Sequence, residues 1–350
     1  MYARVYRTIH FGHYSYMDDP AVRAMDVHGY RQWLVLLDVQ RGIIDRSQAK
    51  QAGFSDRQIL HRLRSGRWQR VHQGVYATFT GALPRDARLS AALLRTGEGA
   101  MLSHETAAEA HGLIDRPAGR TIHVTVPPHR RPVQGGSMPG VTIHRSGQSR
   151  PQLPITWKLP RTRIEDTVLD LIDAAPTFRV AYGWIARAVT RDFVTTAMLR
   201  ASLATRRRAR YRSELAVTLG ETDDGIHSGL EVRYARDVER AHGLPSGQRQ
   251  ARREIGGKAH YRDNWYAEYR VCVELDGPTF HRDDHVWKDK RRDNLNLAQD
   301  GAETFRFGPL EVTELACESA AMVAATLARN GWKGTPHSCR RSSCTVRSSR

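Results

Sequence analysis

The 350-residue chain carries 54 lysines and arginines against 37 aspartates and glutamates, a net charge of +17, with 40% apolar and 26% charged residues. That balance excludes a disordered chain, the length allows two or three separately cored domains, and no run of about eighteen apolar residues offers a membrane-spanning helix. The arginine-rich surplus calls for a polyanion, nucleic acid ahead of an anionic membrane surface, because the guanidinium fork fits phosphate.

Residues 1–29 open without the apolar core of a signal peptide, which predicts a cytoplasmic protein. They show little periodicity and contain the turn-like Asp18-Asp19-Pro20, as expected of an extension. Over 30–80 the pattern sharpens. Trp33, Leu34, Leu36, Leu37 and Val39 predict an apolar helix ending near Gly42, followed by a short helix over 47–52 and a turn at Gly53. Ser55-Asp56-Arg57-Gln58 is a capping box that opens another helix, which runs to Gly66. Ile59, Leu60 and Leu63 are expected inward, leaving Arg57, His61, Arg62 and Arg64 on the remaining surface. Trp68–Val71, a His72-Gln73-Gly74 turn and Val75-Tyr76-Ala77 read as a two-stranded wing. The layout is that of a winged helix-turn-helix with Asp56–Ser65 as recognition helix in a major groove; a helical bundle with a solvated basic face is the other reading. Its ending, Arg70-Val71-His72-Gln73-Gly74-Val75-Tyr76, resembles the N-terminal domain of type IV abortive-infection antitoxins. The resemblance implies DNA as a partner, and a cognate toxin or another protein as a second.

Residues 81–204 predict an α+β middle domain. Helices are expected over Arg85–Arg95, Ser103–Ala110, Arg163–Ala174 and Thr195–Leu203, and strands over 121–126 and 141–144. His104, His111, His123 and His144 invite a metal reading, but no spacing demands one, and separate structural or surface roles are expected. The block resembles the portion that follows the winged helix in the same antitoxin-like proteins. Residues 205–220, with Arg206, Arg207, Arg208, Arg210 and Arg212, read as a basic linker lying on DNA.

From 221 to 335 the order predicts a helix (Ser228–Ala241), strands over Arg252–Ile255, Ala259–Tyr266 and Arg270–Asp276, and a helix (Asp283–Gln299). A strand (Glu303–Phe307) and a helix (Leu310–Ala328) follow. In Val271–Asp276, positions 271, 273 and 275 are apolar on one face, while Glu274 and Asp276 share the other with Cys272. Two carboxylates on one strand face need neutralising, and a hard divalent cation with oxygen ligands is the simplest partner. Ion pairs are the alternative: Asp263 with Arg262 or Arg270, and Glu274 and Asp276 with Arg291 and Arg292.

This αβββαβα order, with Tyr261-Arg262-Asp263, Val273-Glu274-Leu275-Asp276-Gly277, His281 and Arg291-Arg292-Asp293-Asn294, resembles the restriction-endonuclease-like PD-(D/E)XK superfamily, in its very-short-patch-repair branch. The whole chain is thus expected to be an α/β multidomain protein. The resemblance implies Mg2+ held by Asp263 and Glu274, with Glu231 of the first helix and Asp276 adjoining, and His281 assisting. Lys288, Arg291 and Arg292 would face DNA. Asp276 stands where the superfamily carries a lysine, so the charge-stabilising part falls to His281, Lys288, Lys290 or Arg292. That departure supports a rival: a non-catalytic, antitoxin-like regulator that uses a degenerate nuclease fold to bind DNA or a partner.

The basic tail, 336–350, contains Cys339 and Cys344 near His337, with Cys317 upstream. These thiols either stay unpaired or hold a structural Zn2+; a cytoplasmic location argues against disulfides.

Overall fold

The computed structural model describes residues 22, 25–115, 121–130, 138–152, 159–220, 229–255, 258–277 and 301–346. The chain forms two compact units, Met1–Thr167 and Val168–Arg350, so the segment expected as one middle domain contributes to both. Among the described residues no helix is long and apolar enough to cross a membrane.

The first unit begins with α1 (Val27–Val39), β1 (Ile43–Asp45), α2 (Arg46–Gln51), α3 (Asp56–Arg64), β2 (Gln69–His72) and β3 (Val75–Ala77). Each helix start is capped by a side chain that takes up an otherwise unpaired amide: Asp26 for α1, and capping boxes Asp45/Gln48 and Ser55/Gln58 for α2 and α3. The sheet is larger than the two strands expected, because β1 joins β3 and β2 in a three-stranded sheet of order β1-β3-β2. Gly42, at φ +73°, makes the turn into β1; a Cβ there would sit 2.9 Å from the Phe79 ring. Trp33, Phe54, Trp68 and Tyr76 form the aromatic spine of this core, with successive ring centroids 5.3, 5.1 and 6.2 Å apart.

One expectation for α3 fails. Leu60 is 43% exposed, whereas Arg62 is 5% exposed and buried beside Ile59. The Arg62 guanidinium lies 4.5 Å from the Phe54 ring centroid and donates from Nη1 to the Gln58 carbonyl. A cation stacked on aromatic rings satisfies itself inside, so the arginine displaces the leucine.

The rest of the unit comprises α4 (Arg85–Thr96), β4 (Met101–Leu102), α5 (His104–His111), β5 (Ile122–Val126), β6 (Val141–Arg145), β7 (Pro151–Gln152) and β8 (Arg161–Thr162). The strands form a five-stranded mixed sheet of order β6-β5-β4-β8-β7. The buried Leu89, Leu93, Leu102, Ile122 and Val124 pack α4 onto it.

α6 (Ile164–Ala174) runs from the first unit into the second, which continues with α7 (Phe178–Thr190), α8 (Thr196–Thr205) and α9 (Arg212–Leu219). α7, capped by Thr177, was not foreseen. Residues 205–220 are no free linker. Arg206 is 4% exposed and donates to Asp170 (2.8 Å) and Asp173 (3.2 Å) near the end of α6. The Arg210 amide also donates to Asp173, at 2.8 Å, and Arg210 Nη2 donates to the Pro176 carbonyl. Cations are favoured at a helix C-terminus, and the acids fix them there.

The helix over 229–242, α10, carries a π-helical stretch at Tyr234–Arg240. It precedes β9 (Gln248–Ile255), β10 (Lys258–Tyr266), β11 (Val271–Leu275) and β12 (Glu303–Phe307), then α11 (Pro309–Val312) and α12 (Ala316–Arg329). β9, β10 and β11 form an antiparallel meander, and β12 joins β11 in parallel. Val271, Val273 and Leu275 face the core made by Leu230, Tyr234, Val238, Val312, Ala316, Ala320, Val323 and Leu327, as the alternation predicted. On α10, Glu239 is 1% exposed and accepts from Tyr266 Oη (2.6 Å), the Gly247 amide (3.1 Å) and Arg249. Three donors leave this buried carboxylate fully paired. The expected helix over Asp283–Gln299 lies outside the described residues.

Candidate functional site

Four arrangements among the described residues carry chemistry. On α3, Arg57, His61 and Arg64 are exposed, as are Arg67 and Arg70 around the start of β2. Arg67 and Arg70 lie outside the helical periodicity that singled out the α3 residues. α3 and β2 thus both expose cations, while Arg62 belongs to the core.

The second arrangement lies where β9 and β10 meet α10. Gln250 takes a left-handed conformation, φ 46°, that an L residue adopts only at a cost. Its side-chain amide donates to Glu231 Oε1 (2.6 Å) and to Asp263 Oδ1 (3.1 Å). The other Asp263 oxygen accepts from the Leu275 amide at 2.7 Å. Glu231 and Asp263, 32 positions apart, are thus held around one side-chain amide NH2 group. Asn264↔Val273 and Trp265↔Cys272 pairing puts Asp263 beside Glu274 on the face opposite the core. Glu274 is buried and accepts from the Cys272 thiol at 3.2 Å. Burial, reinforced by the Glu274 carboxylate, pushes the Cys272 thiol well above its ordinary range, so it stays a neutral donor.

Asp276 pairs with Arg306 of the neighbouring strand β12 at 3.1 Å. Arg306 also sits opposite Glu274 in the parallel register. No spacing signal could have found it, because Arg306 lies 30 residues beyond Asp276. His281, Lys288, Lys290, Arg291 and Arg292 lie outside the described residues. Arg207 and Arg208 are exposed; Arg206 is buried in its ion pairs and does not face solvent.

Among the described residues, potential ligands gather in threes or more, with donor atoms within 4.8 Å of one another, at His104/His123/His144 and at His242/Cys317/Cys339/Cys344. The first corrects the expectation of separate histidines. Their rings stack, His104 on His144 at 3.8 Å between centroids, and His123 Nδ1 meets His144 Nε2 at 3.0 Å. His111 stays apart on the Thr162 carbonyl, 2.9 Å away.

Burial lowers the pKa of His123 and His144; for His123 nearby Glu105 opposes this and Arg85 adds to it, while His123 itself adds to the lowering at His144. The unfolded chain therefore binds protons that the folded one refuses. Stability is full above the unfolded value of about 6.5 and falls as pH drops below it toward the folded values. Urea midpoints measured from neutral to acidic pH should decline, and His144→Gln should flatten that decline. An unchanged slope in the variant would refute the assignment.

Residues 36–78 match a protein family described as "Transcriptional regulator, AbiEi antitoxin". No curated protein matches the chain. Among solved structures it is similar to the RV2827C protein from Mycobacterium tuberculosis, at 16% identity and a TM-score of 0.38, over 58% of this chain and 80% of that one.

Proposed function

We propose that the chain binds duplex DNA through its winged helix and hydrolyses a phosphodiester bond at the Glu231/Asp263 site with a divalent cation. The observation that carries the catalytic part is the Gln250 amide between two carboxylates. A donor shared by two acids occupies the kind of position a hard cation takes, and an all-oxygen set suits Mg2+. Asp263 and Glu231 would hold the cation, with Glu274 beside Asp263 on the same sheet face. When bound, Mg2+ supplies an activated water and a counter-charge for the phosphate. The Leu275 amide fixes the Asp263 carboxylate, and Arg306 brings a cation to the residue that occupies the usual lysine position. The antiparallel meander with a parallel fourth strand supports the nuclease-like reading of this sheet.

DNA binding is supported by Arg57, His61, Arg64, Arg67 and Arg70, exposed on helix and wing, and by the family match over the same segment. Replacing Arg57 and Arg64 together by alanine should weaken binding across sequences and reduce the log–log salt slope by about 2, one per lost phosphate contact. Fluorescence anisotropy on labelled duplexes at several salt concentrations reads both; an unchanged slope counts against groove docking by α3.

A second reading is a non-catalytic regulator that binds DNA and a cognate toxin or other protein. The pairing of Asp276 with Arg306 and of Glu274 with Cys272 favours it, as does the description of the matched family. Supercoiled plasmid incubated with protein and Mg2+, beside an EDTA control and Asp263→Ala, separates the two. Mg2+-dependent nicking by the wild type alone supports the enzyme; equal nicking by both proteins, or none by either, leaves the regulator.

A further inference from the structure

We propose that His242, Cys317, Cys339 and Cys344 form a structural zinc site that latches the C-terminal segment onto α10 and α12 of the second unit. The four come from three places: the last turn of α10, the first turn of α12, and the tail that follows. Their donor atoms lie within 4.8 Å of one another, and the Cys317 and Cys339 sulfurs are 3.6 Å apart. Tetrahedral zinc with bonds of about 2.3 Å separates two sulfurs by roughly 3.8 Å.

The histidine argues independently of the thiols. His242 is 0% exposed, its Nδ1 faces the Val238 carbonyl at 3.0 Å, and its Nε2 has no hydrogen-bond partner among the described residues. The carbonyl fixes the proton on Nδ1 and leaves a lone pair on Nε2, deep in the fold. An imidazole so oriented by a second partner is the usual state of a metal-bound histidine. Burying an unanswered acceptor is otherwise costly.

Backbone amides are already turned toward the sulfurs. Cys339 N donates to Cys344 Sγ and Arg341 N to Cys339 Sγ, each at 3.4 Å. Such donors stabilise thiolates, the form in which cysteine binds metal. His337, which sequence proximity put forward, plays another part. Its amide donates to the His242 carbonyl at 3.0 Å, and its ring covers Gly243, where a Cβ would come within 2.7 Å of it. A set of three sulfurs and one nitrogen selects zinc, and four protein ligands leave no open position for catalysis. The gain is structural: Val346 is buried in the core cluster and Cys344 packs against it.

The full chain, purified under reducing conditions, should hold one zinc per chain. Cobalt substitution should give intense tetrahedral ligand-field bands with sulfur-to-cobalt charge transfer. His242→Ala and Cys344→Ser should each weaken zinc binding at least about 100-fold in chelator competition, at or beyond what second-shell losses cost. His242→Cys should keep the metal and change the cobalt spectrum to that of four thiolates, a result that a misfolded variant could not give. Cys272→Ser should keep full stoichiometry. Absence of zinc and of cobalt bands in the reduced wild type overturns the proposal, as does a metal-free Cys317–Cys339 disulfide or unchanged affinity in both His242→Ala and Cys344→Ser.

Discussion

Asp263→Asn is expected to lower Mg2+-dependent plasmid nicking at least about 10²-fold, the scale of losing one pre-organised charge-stabilising group. Asparagine keeps the shape and one acceptor for the Leu275 amide, which Asp263 receives at 2.7 Å, so the change removes charge more than structure. Melting temperature should therefore move little while cleavage collapses. Glu231→Gln should act in the same direction, since its carboxylate meets the same Gln250 amide. Gln250→Ala should be far milder, because a bound cation replaces the amide's role between the acids. Initial nicking rates at saturating Mg2+ with parallel thermal melts decide. A fully active Asp263→Asn protein would remove the hydrolytic part of the proposal and leave DNA binding untouched.

Arg206→Ala is expected to destabilise the second unit by about 3–5 kcal/mol, the cost of stripping one partner from a buried pair. The arginine side chain is 2% exposed and Asp170 8% exposed, so the aspartate left behind would have little water to turn to. Arg207 and Arg208 are exposed, and replacing both by alanine should cost no more than about 1 kcal/mol. Urea unfolding with constant slope reads the difference. Equal stability of Arg206→Ala and wild type would mean that the pair is not formed in solution.

The elements of residues 43–77 were legible because their signals are local. Ser55 and Gln58 cap each other across three positions, and Gly74 makes the wing turn. The core strand β11 was legible for the same reason: alternation alone separates Val271, Val273 and Leu275 from Cys272 and Glu274. What failed was rotation about an axis. On α3 the choice between Leu60 and Arg62 as the inward residue depends on the Phe54 and Trp68 rings that receive the guanidinium. In the acidic site, Gln250 was invisible because an uncharged residue on a strand carries no chemical flag until its neighbours converge. Arg206 read as one more cation in a basic run, since nothing in that run marks it as the partner of Asp170, 36 residues earlier. His242 stands far upstream of the cysteines it faces, beyond any spacing rule.

The π-helical stretch at Tyr234–Arg240 acts as a phase adjuster between the two ends of α10. Eleven residues separate positions 231 and 242 by subtraction; in an unbroken α-helix they would lie within about 20° of each other around the axis. One inserted residue turns the second relative to the first by roughly 100°, which lets Glu231 meet β9 while His242 meets α12. Trimming one residue from this stretch would restore even winding and force the helix to choose which end keeps its contacts.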